Sequence, residues 1–121
     1  MALKSNRSKG PPPALDEAQL QAVADLFAVL SEPTRLRILQ VLEPGPATVG
    51  RIIHDTGLKQ ANVSKQLGIL HRAGVLAREK HGNAVHYSIR LPLVFDLCAL
   101  VCSSLREHAE ERARLLARPI P

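Results

Sequence analysis

A chain of 121 residues, 45% hydrophobic and 22% charged, has the size and balance of one globular domain. Two cysteines are too few for a disulfide scaffold, no apolar run approaches the roughly 18–20 residues of a membrane span, and the first 13 residues lack the apolar core of a secretory signal. The net charge is +5, and its position says more than its size. Residues 1–30 balance Lys4, Arg7 and Lys9 against Asp16, Glu17 and Asp25, and residues 91–121 are likewise neutral, so the whole excess lies in residues 31–90. A basic centre between neutral flanks suggests a polyanion-binding module with helices attached for another purpose. Phe27, Tyr87 and Phe95 are the only Phe, Tyr or Trp residues, so the core must be aliphatic. The expected setting is the cytoplasm of a prokaryote-like cell, with no membrane partner and both thiols reduced.

In chain order, residues 1–13 read as a disordered basic arm closed by Pro11-Pro12-Pro13. Helical periodicity then begins at Leu15, with Leu20, Val23, Phe27 and Leu30 at three- and four-residue steps. Ser31-Glu32-Pro33-Thr34 breaks that helix and starts a second, to Glu43, which buries Leu36, Leu39 and Leu42 or their neighbours Ile38 and Val41. Pro44-Gly45-Pro46 ends it. Two short helices follow, Thr48 to Thr56 and Gln60 to Ala73, separated by a turn at Gly57, which is the helix-turn-helix pattern. Val63, Leu67 and Leu70 point inward from the second of them. Val75–Glu79 and the alternating Val85, Tyr87 and Ile89 predict a hairpin turning at Lys80-His81-Gly82-Asn83. A final helix runs from Leu91-Pro92 to about Ala117, with the stripe Val94, Leu97, Val101 and Leu105. The expected fold is mainly α with a small β-hairpin, in the order α-α-α-α-β-β-α. It forms one domain over 14–118 with a DNA-binding core at about 33–90.

The outward set near the start of the second helix of the pair is Lys59, Gln60, Asn62, Ser64, Lys65 and Gln66. Amides can bond adenine in two-pronged fashion, lysine suits guanine or phosphate, and serine serves either. No carboxylate stands between Lys59 and Arg78, so nothing there repels phosphate. Any soluble helix shows polar residues outward; here the helix-turn-helix spacing, the absence of acid and a basic hairpin coincide, which favours DNA. The hairpin adds Arg78, Lys80 and His81, placed to meet a minor groove or phosphates, or to act as a solubilising edge. Arg35, Arg37 and Arg51 are read either as flanking phosphate contacts or as solvated helix faces. His54, His71, His81 and His86 read as surface or hydrogen-bonded residues rather than ligands, and His108 as part of a solvated charged face. No nucleophile–base spacing, phosphate loop or complete metal site argues for an enzyme.

Phe27-Ala28-Val29-Leu30-Ser31-Glu32-Pro33-Thr34-Arg35-Leu36-Arg37-Ile38-Leu39 resembles the opening segment of ArsR/SmtB-type winged-helix repressors. Lys59 to Leu67, followed by Leu70-His71-Arg72-Ala73-Gly74-Val75-Leu76, resembles that family's recognition helix and its exit. The likeness covers roughly residues 15–105. It implies a winged helix-turn-helix homodimer joined through its first and last helices. Such a dimer would bind double-stranded operator DNA at an imperfect inverted repeat and release it when an inducer binds.

The family's inducer motifs are incomplete in this chain. Thr48 and Gly50 stand where a thiol pair occurs in one of them. The zinc motif of the last helix is approached by Asp96-Leu97-Cys98 and His108-Ala109-Glu110-Glu111, one residue short in spacing. One residue rotates a helical side chain by about 100°, off the ligand face. Asp96, Cys98, Cys102, His108 and Glu111 are the metal candidates that remain. Cys98 and Cys102, four apart on one face, suit a thiophilic metal or metalloid ion such as arsenite, or oxidation by an oxidant or reactive sulfur. They equally suit a packing role, cysteine being a small hydrophobe. Two functions therefore stand: an inducible repressor, or a constitutive winged-helix DNA-binding or protein-interaction module without an inducer site.

Overall fold

The computed structural model describes residues 14–119, and the expected arm over residues 1–13 lies outside the described residues. The described residues form two compact units, 14–91 and 92–119. The first unit holds α1 (Glu17–Val29), α2 (Pro33–Leu42), β1 (Ala47–Thr48), α3 (Val49–Thr56), α4 (Gln60–Arg72), β2 (Leu76–His81) and β3 (Ala84–Ile89). The second is α5 (Leu93–Leu116).

Local chemistry sets the helix ends. The Asp16 carboxylate accepts from the Gln19 backbone N–H at 2.8 Å, and the Gln19 side-chain oxygen accepts from the Asp16 N–H at 2.9 Å, a reciprocal capping box. Pro33 opens α2, where its missing N–H costs nothing. Thr48 Oγ1 accepts from the Arg51 N–H at 3.2 Å and caps α3. Gly57 then stops that helix at φ 71°, a left-handed conformation open chiefly to glycine. At the far end of α4, Gly74 (φ 79°) donates to the His71 carbonyl and Val75 to the Leu70 carbonyl, both at 3.0 Å. That crossed pair is a Schellman motif, and the buried Leu70 and Val75 complete it.

The core of the first unit is aliphatic, as the composition requires. Helices α2, α3 and α4 pack on one another, with α4 also against β2 and with α2 and α3 also against β3. Ile38, Leu42, Ile52, Val63, Leu67, Leu70, Val75 and Leu76 are each at most 1% exposed, each contributing about 1.5–3 kcal/mol by leaving water. Of the two expected stripes on α2 the structure buries a mixture, Ile38, Leu39 and Leu42, with Leu36 and Val41 half-buried.

The sheet departs from expectation. Ala47 pairs with Tyr87 and Thr48 with His86, so a short third strand joins the hairpin in the order β1-β3-β2, all antiparallel. The expected α-α-α-α-β-β-α order therefore gains a strand between the second and third helices. Two residues pairing with a distant partner leave no periodic signal. The hairpin is also longer than predicted: Lys80 and His81 belong to β2, leaving Gly82-Asn83 as the turn.

Apolar stripes at the two ends of the chain remain largely uncovered. Leu20, Val23 and Phe27 of α1 are 43–52% exposed, and no residue of that helix is buried. Along α5, about 36 Å long by helical rise, Val94 is buried while Leu100, Val101 and Leu105 are exposed. Among the described residues, no helix is long and apolar enough to cross a membrane.

Candidate nucleic-acid interface

The outward face of α4 is built by subtraction. Burying Val63, Leu67 and Leu70 turns the opposite side of the helix to solvent, leaving Gln60, Ser64 and Lys65 exposed beside Lys59 at the N-cap. No side chain caps this helix, so its first-turn N–H groups keep a partial positive charge that favours a phosphate. Gly68 lies on the same face, and a Cβ there would sit 3.0 Å from Arg72 Nη1. The glycine thus leaves room for the Arg72 guanidinium to lie across the helix. Arg72 is a cation that sequence reasoning missed; its i, i+4 spacing from Gly68 was the available signal.

Gln66 does not belong to this exposed set. It is only 4% exposed, three residues after Val63 and four before Leu70, and so falls within the buried stripe. Spacing alone placed it there, but its polarity concealed it. Its amide oxygen accepts from Arg35 Nη1 at 3.3 Å, and its Nε2 donates to Asn62 Oδ1 at 3.0 Å. Arg35 also turns inward: its side chain is 12% exposed, lies 3.5 Å from the Glu32 carboxylate, and donates from Nε to the Val29 carbonyl at 2.7 Å. That engagement removes Arg35 from the phosphate contacts. Arg51 is paired along α3 with Asp55 at 2.9 Å. The His54 ring and then the Arg51 guanidinium hold the Asp55 carboxyl below the usual carboxylate range.

Strand alternation divides the hairpin cations between two faces. Arg78 and Lys80 share a face with Leu76, whereas Glu79 and His81 lie on the other. His81 sits 3.5 Å from Glu79 and meets the His86 ring edge-on, with centroids 5.2 Å apart. Among the described residues, His86 Nδ1 is a buried side-chain nitrogen without a hydrogen-bond partner. Arg78 and Lys80 are exposed together, as a wing along a phosphate backbone requires.

Residues 30–79 match a family described as a helix-turn-helix domain. The HTH-type transcriptional regulator Rv0081 of Mycobacterium tuberculosis is 39% identical over 77% of this chain and 82% of its own length. Its crystal structure gives a TM-score of 0.70 at 37% identity, covering 81% of this chain and 99% of that one. The antimony-specific transcriptional repressor AntR gives 0.72 at 31% identity, over 91% and 98%. The homodimeric winged helix-turn-helix domain Mb0332 of Mycobacterium bovis, a possible ArsR-family regulator, gives 0.67 at 30% identity, over 81% and 93%. The chain belongs to the ArsR/SmtB family of winged helix-turn-helix transcriptional repressors.

In the winged helix-turn-helix frame, α4 stands in the position of the recognition helix and the β2–β3 hairpin in that of the wing. Repressors of this family bind DNA as homodimers, and α1 and α5 carry the apolar faces left for a second copy. On α5 both Cys98 and Cys102 are free and exposed. Among the described residues no group of three His, Cys, Asp or Glu side chains could hold a metal ion. Helical geometry explains why one chain does not assemble the metal candidates. Asp96 precedes Cys98 by two residues, about 200° of rotation, so the two point to nearly opposite sides of α5. His108 and Glu111 lie two and more turns further along.

Proposed function

We propose that the homodimer binds an imperfect inverted repeat in double-stranded DNA and is released by a thiol-reactive inducer acting at Cys98 and Cys102. Each subunit lays the N-terminal half of α4 in a major groove, with Lys59, Gln60, Asn62, Ser64 and Lys65 toward the bases and phosphates. Arg78 and Lys80 of the wing run along the adjoining backbone, with His81 on the wing's other face. The observation that carries the DNA reading is the acid-free exposed face of α4, crossed by Lys59, Lys65 and Arg72. The inducer reading is supported by two exposed thiols on one helical face of α5, and by the likeness to a repressor specific for antimony. Soft thiolates suit arsenite or another soft metal ion, and also an oxidant or reactive sulfur.

Fluorescence anisotropy with the repressor's own upstream DNA tests both parts. Lys65→Ala is expected to weaken binding about tenfold at low salt and to lower the salt slope by about 1, as loss of one phosphate contact should. Absence of binding to that DNA at low salt would sink the DNA reading. Arsenite or diamide is expected to release the wild type but not the Cys98→Ser, Cys102→Ser variant. A variant released as readily as the wild type would assign the thiols to packing.

A further inference from the structure

The buried hydrogen bonds beneath α4 have a direction, and Arg35 sets it. A guanidinium carries five N–H donors and no acceptor, and it stays protonated throughout the working pH range. Whatever side-chain amide it meets must turn its oxygen toward it, and Gln66 does so at 3.3 Å. With its oxygen committed, Gln66 can offer its other neighbour only the NH2 group. Asn62 therefore turns Oδ1 inward to accept at 3.0 Å. Each orientation follows from the one before, starting from a side chain that cannot reverse. Arg35 is itself held by the Val29 carbonyl and the Glu32 carboxylate, and Gln66, in the middle of the relay, is only 4% exposed. Half-buried at the rim of the reading face, Asn62 is left with Nδ2, whose two protons have no acceptor among the described residues.

We infer that Arg35 and Gln66 fix Asn62 as a hydrogen-bond donor toward DNA, so that the repressor favours a base edge carrying acceptors at that position. This rests on the reading that the start of α4 enters the major groove. The bases it would favour are guanine, with N7 and O6, and thymine, with O4; cytosine, which offers N4–H2, is disfavoured. The two-pronged contact to adenine needs both Oδ1 and Nδ2 in the groove and is lost. Asn62 is thus a specificity-determining residue, and Arg35 and Gln66 are positioning residues behind it.

Gln66→Glu inverts the relay without shortening it. The new carboxylate still accepts from Arg35, but it has no proton to give Asn62. The Asn62 amide must then turn over, donating Nδ2 inward and presenting Oδ1 to the groove. Selection from a pool of randomised duplexes, with the full-length wild type and with Gln66→Glu, identifies the preferred sequences. Affinities for duplex pairs differing at one base pair then give the ratios. One position per half-site is expected to change from guanine or thymine to cytosine or adenine, its affinity ratio moving at least tenfold, with the other positions unchanged. A variant that binds with the wild-type preference at every position overturns the inference.

Side-chain amide exchange by NMR reads the relay without DNA and without the variant. In the wild type the Gln66 NH2 protons are expected to exchange at least tenfold more slowly than those of Asn62. The reverse order also overturns the inference. If the wild type selects no duplex at all, the major-groove reading fails, while the amide exchange still decides the orientation of Asn62.

Discussion

Helices α4 and α5 both carry an aliphatic stripe at helical spacing, yet they use it differently. In α4 the stripe is finished within the chain: Val63, Leu67 and Leu70 are at most 1% exposed. In α5 it is not: Val101 is 47% and Leu105 64% exposed. Periodicity shows which face of a helix seeks burial, but not whether the covering surface belongs to the same chain. For α4 the cover is α2, α3 and β2. For α5, a homodimeric family supplies the cover in the second copy. One helix therefore presents its polar face from a firm base, and the other waits for its partner.

The largest way to break this contrast is Leu105→Glu. A carboxylate on the uncovered stripe is expected to dissociate the dimer in sedimentation while leaving thermal unfolding of the monomer little changed. Operator affinity then falls by about 10²–10⁴, because two linked half-sites become two independent ones. Leu70→Ala acts on the other side of the comparison. It removes a fully buried side chain and should cost about 2–5 kcal/mol in denaturant unfolding. The smallest effect concerns Asp55 on α3, whose carboxyl is held below its ordinary range by His54 and Arg51. Its lowered folded-state pKa gives stability that is present above the unfolded-state pKa of about 3.9 and is lost as pH falls through the folded value. Melting curves from pH 6 downward should show wild type above Asp55→Asn, with the gap closing in acid. A gap independent of pH would disconnect the pair from that titration.

Much of this architecture was legible in the sequence because its signals are local. Pro33, the proline–glycine run after α2, Gly57 and Gly74 each mark a boundary through backbone chemistry that needs no tertiary partner. The resemblance carried by the segments from Phe27 and from Lys59 added the family. What escaped was non-local or disguised. β1 exists because Ala47 and Thr48 meet Tyr87 and His86, and Arg35 finds its partner in Gln66, 31 residues away. Polarity puts Gln66 on the DNA face, whereas its spacing from Val63 and Leu70 puts it inside. The division of Arg78 and Lys80 from His81 follows from period two once the strand is known to reach His81. The inducer was least legible, since a thiol that senses and a thiol that packs have the same spacing along a helix.

Thr48 serves two elements at once: it pairs with His86 in the sheet, and its hydroxyl caps the helix leading into α4. The stem of the wing and the first helix of the helix-turn-helix are thereby riveted at a single residue. In the proposed DNA complex, that tie would hold helix and wing at one distance on each half-site. Where an operator's groove widths depart from that distance, the strain would fall on the duplex. Stiff and pliant base steps outside the contacted positions will therefore rank operators by how cheaply they bend to fit.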